Sequence, residues 1–350
     1  MVKRLLLIAT IVVAAGAAAA PGAAAKGAGI LPAPAGVTLP GSPYRYVAIH
    51  PKVGVRGGPT IIERIDRGDG RIDRWWRLQG HYFVPAVAYD FSGGGLSADG
   101  RTLVLQRFTT AYPPERSRFA VLNTAVHLRH PVRPGEDRPP HAVRRIDLPG
   151  FFSFDAISPD GSTVYLIHHL TARGPAARYE VRALDTATGR LLPDQIVDPE
   201  EPEERMEGLP ITRAMSPDGR WAYTLYDGNG KEPFLHALDT VRGSAVCVDL
   251  PQLRDRRNLF LLKLGLAAGG RRLVVRSKSK VQGEPLSPRL LTVDTRTFAV
   301  HRPASVAEAS SASSVPWLPI GIAAAALAAA LIWLLVRRER MAERRPLEQG

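Results

Sequence analysis

Across residues 26–303 the apolar positions come in short runs, several with a period of two, and Gly, Pro, Asp or Asn cuts each run. A period of two sends alternate side chains to opposite faces, so these runs predict strands. No convincing amphipathic helix interrupts them. The expectation is an all-β body of strands joined by tight turns.

Two turn signals recur in register. Ser158-Pro159-Asp160-Gly161 returns as Ser216-Pro217-Asp218-Gly219, with a looser copy at Ser97-Ala98-Asp99-Gly100 and a degenerate one at Ala267-Ala268-Gly269-Gly270. Each is followed by a strand, predicted at 102–106, 163–168, 221–225 and 272–276. A second turn follows at a matched distance: Asp185-Thr186-Ala187-Thr188-Gly189, Asp239-Thr240-Val241-Arg242-Gly243, Asp294-Thr295-Arg296-Thr297 and the weaker Asn123-Thr124-Ala125. Strands predicted at 179–184, 234–238 and 289–293 lead into three of these. A further unit precedes them, with strands at 37–39, 44–49, 60–65 and 72–78 and turns at 40–43 and 66–70. Each unit reads as strand, tight turn, strand, loop, strand, tight turn, strand. That is a four-stranded antiparallel meander.

The turn residues have local reasons. Pro sets φ at the second turn position, Asp bonds the nearby backbone and Gly accepts a positive φ. Asp99, Asp160, Asp218, Asp185, Asp239 and Asp294, with Gly161 and Gly219, are therefore expected to fold the chain rather than to carry catalysis. Ser-Pro-Asp-Gly before a strand, then Leu-Asp-Thr-x-x-Gly, resembles the repeats of YVTN-type and related bacterial β-propellers. The resemblance covers roughly residues 35–303 and is best in the two central units. It implies about five blades around a central channel and is silent about activity. A β-sandwich has no reason to repeat both turns in register.

The two ends have a different pattern. Lys3 and Arg4 precede an uncharged run at 5–25 that closes on Ala23-Ala24-Ala25, the order of a secretory signal peptide. Residues 26–34 read as a linker, 304–314 as a Ser/Ala-rich stalk and 337–350 as a tail too short to fold. Residues 315–336 carry no charge and, as a helix, would span about 33 Å, enough for a hydrocarbon core. Trp317 and Trp333 sit where indole prefers the interface, and Arg337 and Arg338 follow at once. The expectation is a single-pass cell-membrane protein with its body outside and its arginine-rich tail in the cytoplasm. Leu318-Pro319-Ile320-Gly321 resembles a sortase motif but lacks its threonine and lies inside the apolar run.

Charge adds one element to this picture. The net charge is +13. Signal and tail each hold a surplus of two, which leaves +9 for the body. Such a field favours anionic partners such as phospholipid heads or envelope polymers, although a coding bias toward arginine would produce it too. Nothing in the sequence points to nucleic acid. Cys247 is the single cysteine, so no internal disulfide forms, and its strand-like setting predicts a buried inert thiol.

Candidate chemistry is sparse. No nucleophile elbow, P-loop or zinc-protease motif is present, and Gly93-Gly94-Gly95 precedes a strand rather than a helix. His127, His130 and His141 lack further ligands at metal spacing, so neither metal nor cofactor is expected. His168-His169 ends a strand. The acidic run 198–207 has no calcium-loop alternation and reads as a solvated loop between units. Trp75, Trp76, Tyr82, Phe83, Tyr89 and Phe91 read as packing between blades, with a stacking platform as the sharper alternative. Trp75 and Trp76 are adjacent, so in a strand they face opposite sides of the sheet. Three functions stay open. One is a binding or scaffold module in the cell envelope that recognises a protein or an anionic polymer, the preferred reading. The others are a hydrolase or lactonase-like propeller enzyme, and an accessory subunit of a membrane complex that packs through the small residues of 323–330.

Overall fold

The computed structural model describes residues 31–50, 58–126, 142–171, 178–203, 206–255, 258–267, 269–278 and 289–302. The expected signal, the stalk, the apolar run 315–336 with Trp317 and Trp333, the tail with Arg337 and Arg338, and the three histidines at 127–141 lie outside them. Among the described residues no helix is long and apolar enough to cross a membrane.

Those residues fold into five antiparallel sheets, each built from consecutive chain. The first holds β1 (Tyr44–Ile49), β2 (Pro59–Asp66) and β3 (Ile72–Gln79). The second holds β4 (Tyr82–Phe83), β5 (Thr102–Arg107), β6 (Arg116–Asn123) and β7 (Val143–Pro149). The third holds β8 (Phe152–Ile157), β9 (Thr163–His169), β10 (Tyr179–Asp185) and β11 (Arg190–Ile196). The fourth holds β12 (Pro210–Met215), β13 (Trp221–Tyr226), β14 (Phe234–Asp239) and β15 (Ser244–Asp249). The fifth holds β16 (Leu262–Ala267), β17 (Arg272–Ser277), β18 (Arg289–Asp294) and β19 (Val300–His301). The strands expected from the repeats are present within a residue or so of their expected ends. The exception is the fourth position of the first sheet, a short bridge in which Val37 and Tyr46 exchange two backbone hydrogen bonds of 2.9 Å.

The sheets stack face to face in chain order. Ile62, Trp76 and Tyr46 of the first pack on Leu103, Leu105 and Leu122 of the second. Phe119 and Ile146 of the second meet Phe152, Phe154 and Leu166 of the third. Ala156, Tyr165 and Val181 meet Ala222 and Leu238 of the fourth. Tyr223 and Leu225 meet Leu264, Leu273 and Leu291 of the fifth. No core cluster among the described residues joins the fifth sheet to the first. Sequential meanders packed face to face are the blades of a β-propeller.

The two repeated turns share one end of the molecule, because each closes an odd-numbered connection of its meander. A latch ties them together. The Thr of the second turn donates its hydroxyl to the carbonyl of the first turn's closing Gly: Thr124 to Gly100, Thr186 to Gly161 (2.9 Å), Thr240 to Gly219 (3.0 Å) and Thr295 to Gly270 (2.9 Å). The recurring Thr thus bonds a turn more than twenty residues away, not its own backbone as its local motif suggests.

Candidate binding site in the channel

Each Asp of the first turn accepts a backbone N–H and the Ser hydroxyl two residues before it. Asp99 Oδ1 takes Arg101 N (2.9 Å) and Ser97 Oγ (2.6 Å), and Asp160 Oδ1 takes Ser162 N (3.0 Å) and Ser158 Oγ (2.7 Å). Asp218 Oδ1 takes Arg220 N (3.1 Å) and Ser216 Oγ (2.5 Å). The serine hydroxyl is itself an acceptor: Ser158 Oγ takes Thr163 N at 2.9 Å. In the second turn Asp185 accepts Thr188 N (2.6 Å), Asp239 accepts Val241 N (3.0 Å), and Asp294 accepts Arg296 N (2.9 Å). The Ser158 hydroxyl and the Ser162 N–H hold the Asp160 carboxyl below its ordinary range, and the Thr188 N–H and hydroxyl do the same for Asp185.

Gly161 and Gly219 answer two demands at once. Both have φ +75°. A Cβ on Gly161 would stand 2.3 Å from Thr102 Oγ1, and one on Gly219 would stand 2.6 Å from the Ala98 Cβ. The first turns of the second, third and fourth blades therefore touch at one mouth of the channel.

Below that mouth lies a cavity of about 240 Å³, lined by 37–40, 92–96, 154–157 and 213–217 with further single residues. Its wall is mostly apolar, through Val37, Leu39, Val87, Phe154 and Met215. Its charged groups are Asp155 and Arg213, whose side chains are 2% and 4% exposed. Asp155 sits at a bulge between β8 and β9, the kind of irregularity that re-aims a side chain. Its carboxylate accepts Arg213 Nη2, and its carbonyl accepts Nη1 at 3.1 Å. Arg213, Thr224, His236 and Cys247 are direct partners across the fourth sheet and share one face. Burial lowers His236 to about 4, against an opposing pull from Asp155. A buried, doubly bonded guanidinium and carboxylate of this kind can position a ligand or hold two blades together.

The other end of the channel is filled by a hairpin absent from the sequence expectation. The innermost strand of the second blade breaks after Phe83 and resumes at Gly95, whose carbonyl accepts Val104 N at 2.8 Å. The intervening residues fold back on themselves, with Val87 N on Ser92 O (2.9 Å) and Gly94 N on Pro85 O (2.9 Å). The tip reaches the fourth and fifth blades: Tyr89 N donates to Pro210 O at 2.8 Å, and the Tyr89 ring meets Phe260 edge-on at 5.7 Å. Asp90, 3% exposed, accepts Lys263 Nζ (2.6 Å), Thr212 Oγ1 (2.7 Å) and Ser92 Oγ (2.6 Å). Burial alone would raise its carboxyl, but these donors outweigh it and hold the group below the usual range. The glycine run makes room: a Cβ on Gly93 would lie 2.1 Å from Gly36 O, and one on Gly94 would lie 2.6 Å from Val87.

Other expectations resolve individually. Trp76 is fully buried, with its Nε1 donating to Val126 O at 2.8 Å, while its neighbour Trp75 is exposed on the opposite face. Tyr82 and Phe83 pack in the core, but Phe91 is exposed at the hairpin tip. His168 stacks on Phe152, and buried His169 stacks on Phe151 and meets Ser153 Oγ at 2.9 Å. In the acidic run, Asp198 is not solvated: it is buried and accepts Cys247 N (2.7 Å) and Glu200 N (2.9 Å), because it fastens the exit of the third blade to the outer strand of the fourth. Cys247 is half-buried rather than buried, since its strand β15 is the outermost of its sheet. Among the described residues no cluster of His, Cys, Asp and Glu could hold a metal.

The fold and its filled channel define the class, an all-β chain of propeller blades. No family model matches the sequence, and no curated protein matches it. Among solved structures the chain is similar to TolB from Acinetobacter baumannii at 15% identity and TM-score 0.38, over 73% of this chain and 51% of that one. It is similar to puromycin hydrolase at 17% and 0.43, over 76% and 36%. The β-propeller domain of the Trilobed protease from Pyrococcus furiosus follows at 9% and 0.38, over 75% and 67%. The chain thus spans about half of the TolB chain and little more than a third of the hydrolase.

Proposed function

We propose that this chain is an extracytoplasmic, membrane-anchored β-propeller that works as a binding or scaffold module for an anionic polymer of the cell envelope. The observation that carries this reading is the arrangement of charge at the turn end. Arg71, Arg101, Arg190, Arg242, Arg272 and Arg296 follow or flank the turns and are exposed. The turn aspartates bond backbone N–H groups of their own turns, Arg71 pairs with Asp69 at 3.5 Å, and all six arginines are exposed to solvent. The latched turns form a rigid platform, and guanidinium groups on such a platform suit phosphate or carboxylate recognition.

The test is retention of the detergent-solubilised full chain on immobilised poly(glycerol phosphate). Retention should fall steeply as salt rises, because the Debye length shrinks from about 10 Å at 0.1 M to about 3 Å at 1 M. The combined change Arg101→Glu, Arg242→Glu and Arg296→Glu should abolish it. Retention that ignores both salt and these changes overturns the reading.

A further inference from the structure

We propose that the cavity beneath the turn mouth binds a small neutral carbonyl compound, a ketone or ester with a compact apolar body, whose oxygen accepts a hydrogen bond from Arg213 Nε. The proposal concerns the propeller alone and does not depend on the envelope reading above.

An unspent donor marks the site. A guanidinium carries five N–H donors in a fixed planar fork. The bonds of Arg213 to the Asp155 carbonyl and carboxylate both leave from its Nη atoms. Its Nε is buried and has no hydrogen-bond partner. The side chain is 4% exposed, so bulk water does not reach this edge of the fork. Burying a donor without a partner is costly, and native proteins keep such a group where something completes it. Arg213 lines the cavity, so the completing group belongs inside it. The rival occupant is a water shared with the Thr224 hydroxyl, which pairs across the sheet with Arg213 and is also buried without a partner.

The cavity is a cup rather than a passage. Segments 37–40 and 92–96 and the inner strands β8 and β12 wall it. The channel hairpin supplies the floor through Val87, Gly93 and Gly94. Asp90 fastens that hairpin to Thr212 of the fourth blade and Lys263 of the fifth. A ligand therefore enters from the turn mouth and meets a floor that is already in place.

Size and polarity set the ligand class. The volume is about 240 Å³. An apolar protein cavity of about 150 Å³ holds benzene, so roughly ten non-hydrogen atoms fit here. Val37, Leu39, Phe154 and Met215 favour an apolar body. Asp155 decides the head group. Its carboxylate already balances the guanidinium and is 2% exposed. A ligand carboxylate would stand in the same dry space, beside a like charge and without a counterion of its own. A carbonyl oxygen brings no charge. It is an acceptor only, and so matches an edge that offers only donors.

The experiment follows the methionine methyl groups by NMR in the full chain, solubilised in a nonionic detergent. The chain has four methionines. Met215 lines the cavity, and Met206, which packs outside it, is the control. Loss of one signal in Met215→Leu assigns the probe. Three ligands with the same number of non-hydrogen atoms are titrated, with their free concentrations measured. They are acetophenone, benzoate and α-methylstyrene, in which a methylene replaces the carbonyl oxygen. Acetophenone should shift the Met215 methyl saturably, leave Met206 in place and bind about tenfold or more tighter than the other two. In the double variant Asp155→Leu with Arg213→Met, the preference for acetophenone over α-methylstyrene should vanish. A folded double variant that keeps the preference overturns the proposal. The series on the unaltered chain decides the matter even where that variant does not fold. Equal affinity for acetophenone and α-methylstyrene leaves Nε without a ligand bond and overturns it. Benzoate bound as tightly as acetophenone makes this an anion site and overturns it as well. No shift of Met215 with any of the three leaves water as the occupant, and the proposal fails.

Discussion

At the scale of single residues, the latch threonines carry a specific expectation. Thr240 is 1% exposed, and its hydroxyl bonds both Gly219 O and Arg220 O. Thr240→Val keeps the shape and strands the Gly219 carbonyl, while Arg220 O keeps the Thr240 N–H, so unfolding free energy should drop by about 1–3 kcal/mol in urea titrations. The ion pair behaves differently. Arg213→Met leaves the Asp155 carboxylate buried and unpaired, which should cost roughly 3–5 kcal/mol. The double change Asp155→Leu with Arg213→Met should recover most of that loss, and a double-mutant cycle measures the coupling. Buried histidines set the acid limit. His169 is lowered to about 4 by burial and then by His168, and His236 is lowered to about 4 by burial. Unfolding restores 6.5, so the unfolded chain takes up protons first as pH falls. Stability is therefore full above about pH 6.5 and declines toward pH 4, by on the order of 3 kcal/mol per histidine. His236→Gln should flatten that slope between pH 6.5 and 4; an unchanged slope would assign the acid sensitivity elsewhere.

At the scale of elements, the channel hairpin is the feature that local reasoning did not reach. The glycines at 93–95 and the dense aromatics before them were visible, but a triple glycine next to a strand has several meanings. Its meaning here is close approach to Gly36 and Val87. Gly93→Ala should force the hairpin away from 31–36 and, by the clash of its Cβ with Gly36 O, destabilise the fold by more than the roughly 1 kcal/mol of an ordinary Gly-to-Ala strain. Hydrogen exchange at Tyr89 N, bonded to Pro210 O, should quicken first. The turns and their strands were legible because their chemistry is local: Pro sets φ, Asp bonds a nearby N–H, Gly tolerates positive φ. The partners of Asp90 were not, because Thr212 and Lys263 lie 122 and 173 residues away.

At the scale of the whole molecule, the blades pack in series from first to fifth. Each inner blade has two neighbours, while no core cluster of the described residues joins the first to the fifth. Stability in such arrays is a sum of blade and interface contributions, so exchange protection should be highest in the second to fourth blades and lower in the outer two. Equal protection throughout would mean a closed ring that shares load evenly. Apolar surface is also uneven at this scale, with seven of the eleven exposed large apolar side chains among the described residues at the end opposite the turns.

By itself the sequence determined the all-β body, about five repeating units and the position of ten of the nineteen strands, since each depends on residues close together in the chain. It also put Trp75 and Trp76 on opposite faces of their sheet, because alternation in a strand is a property of the backbone. Only the tertiary structure decided what the Thr latches hold, how Asp155 and Arg213 meet, and that the channel is filled by its own chain. Those arrangements depend on which blades become neighbours, and no short-range pattern encodes that. The same holds for the exposed rings: each is an ordinary residue in its own loop, and folding places them on one end.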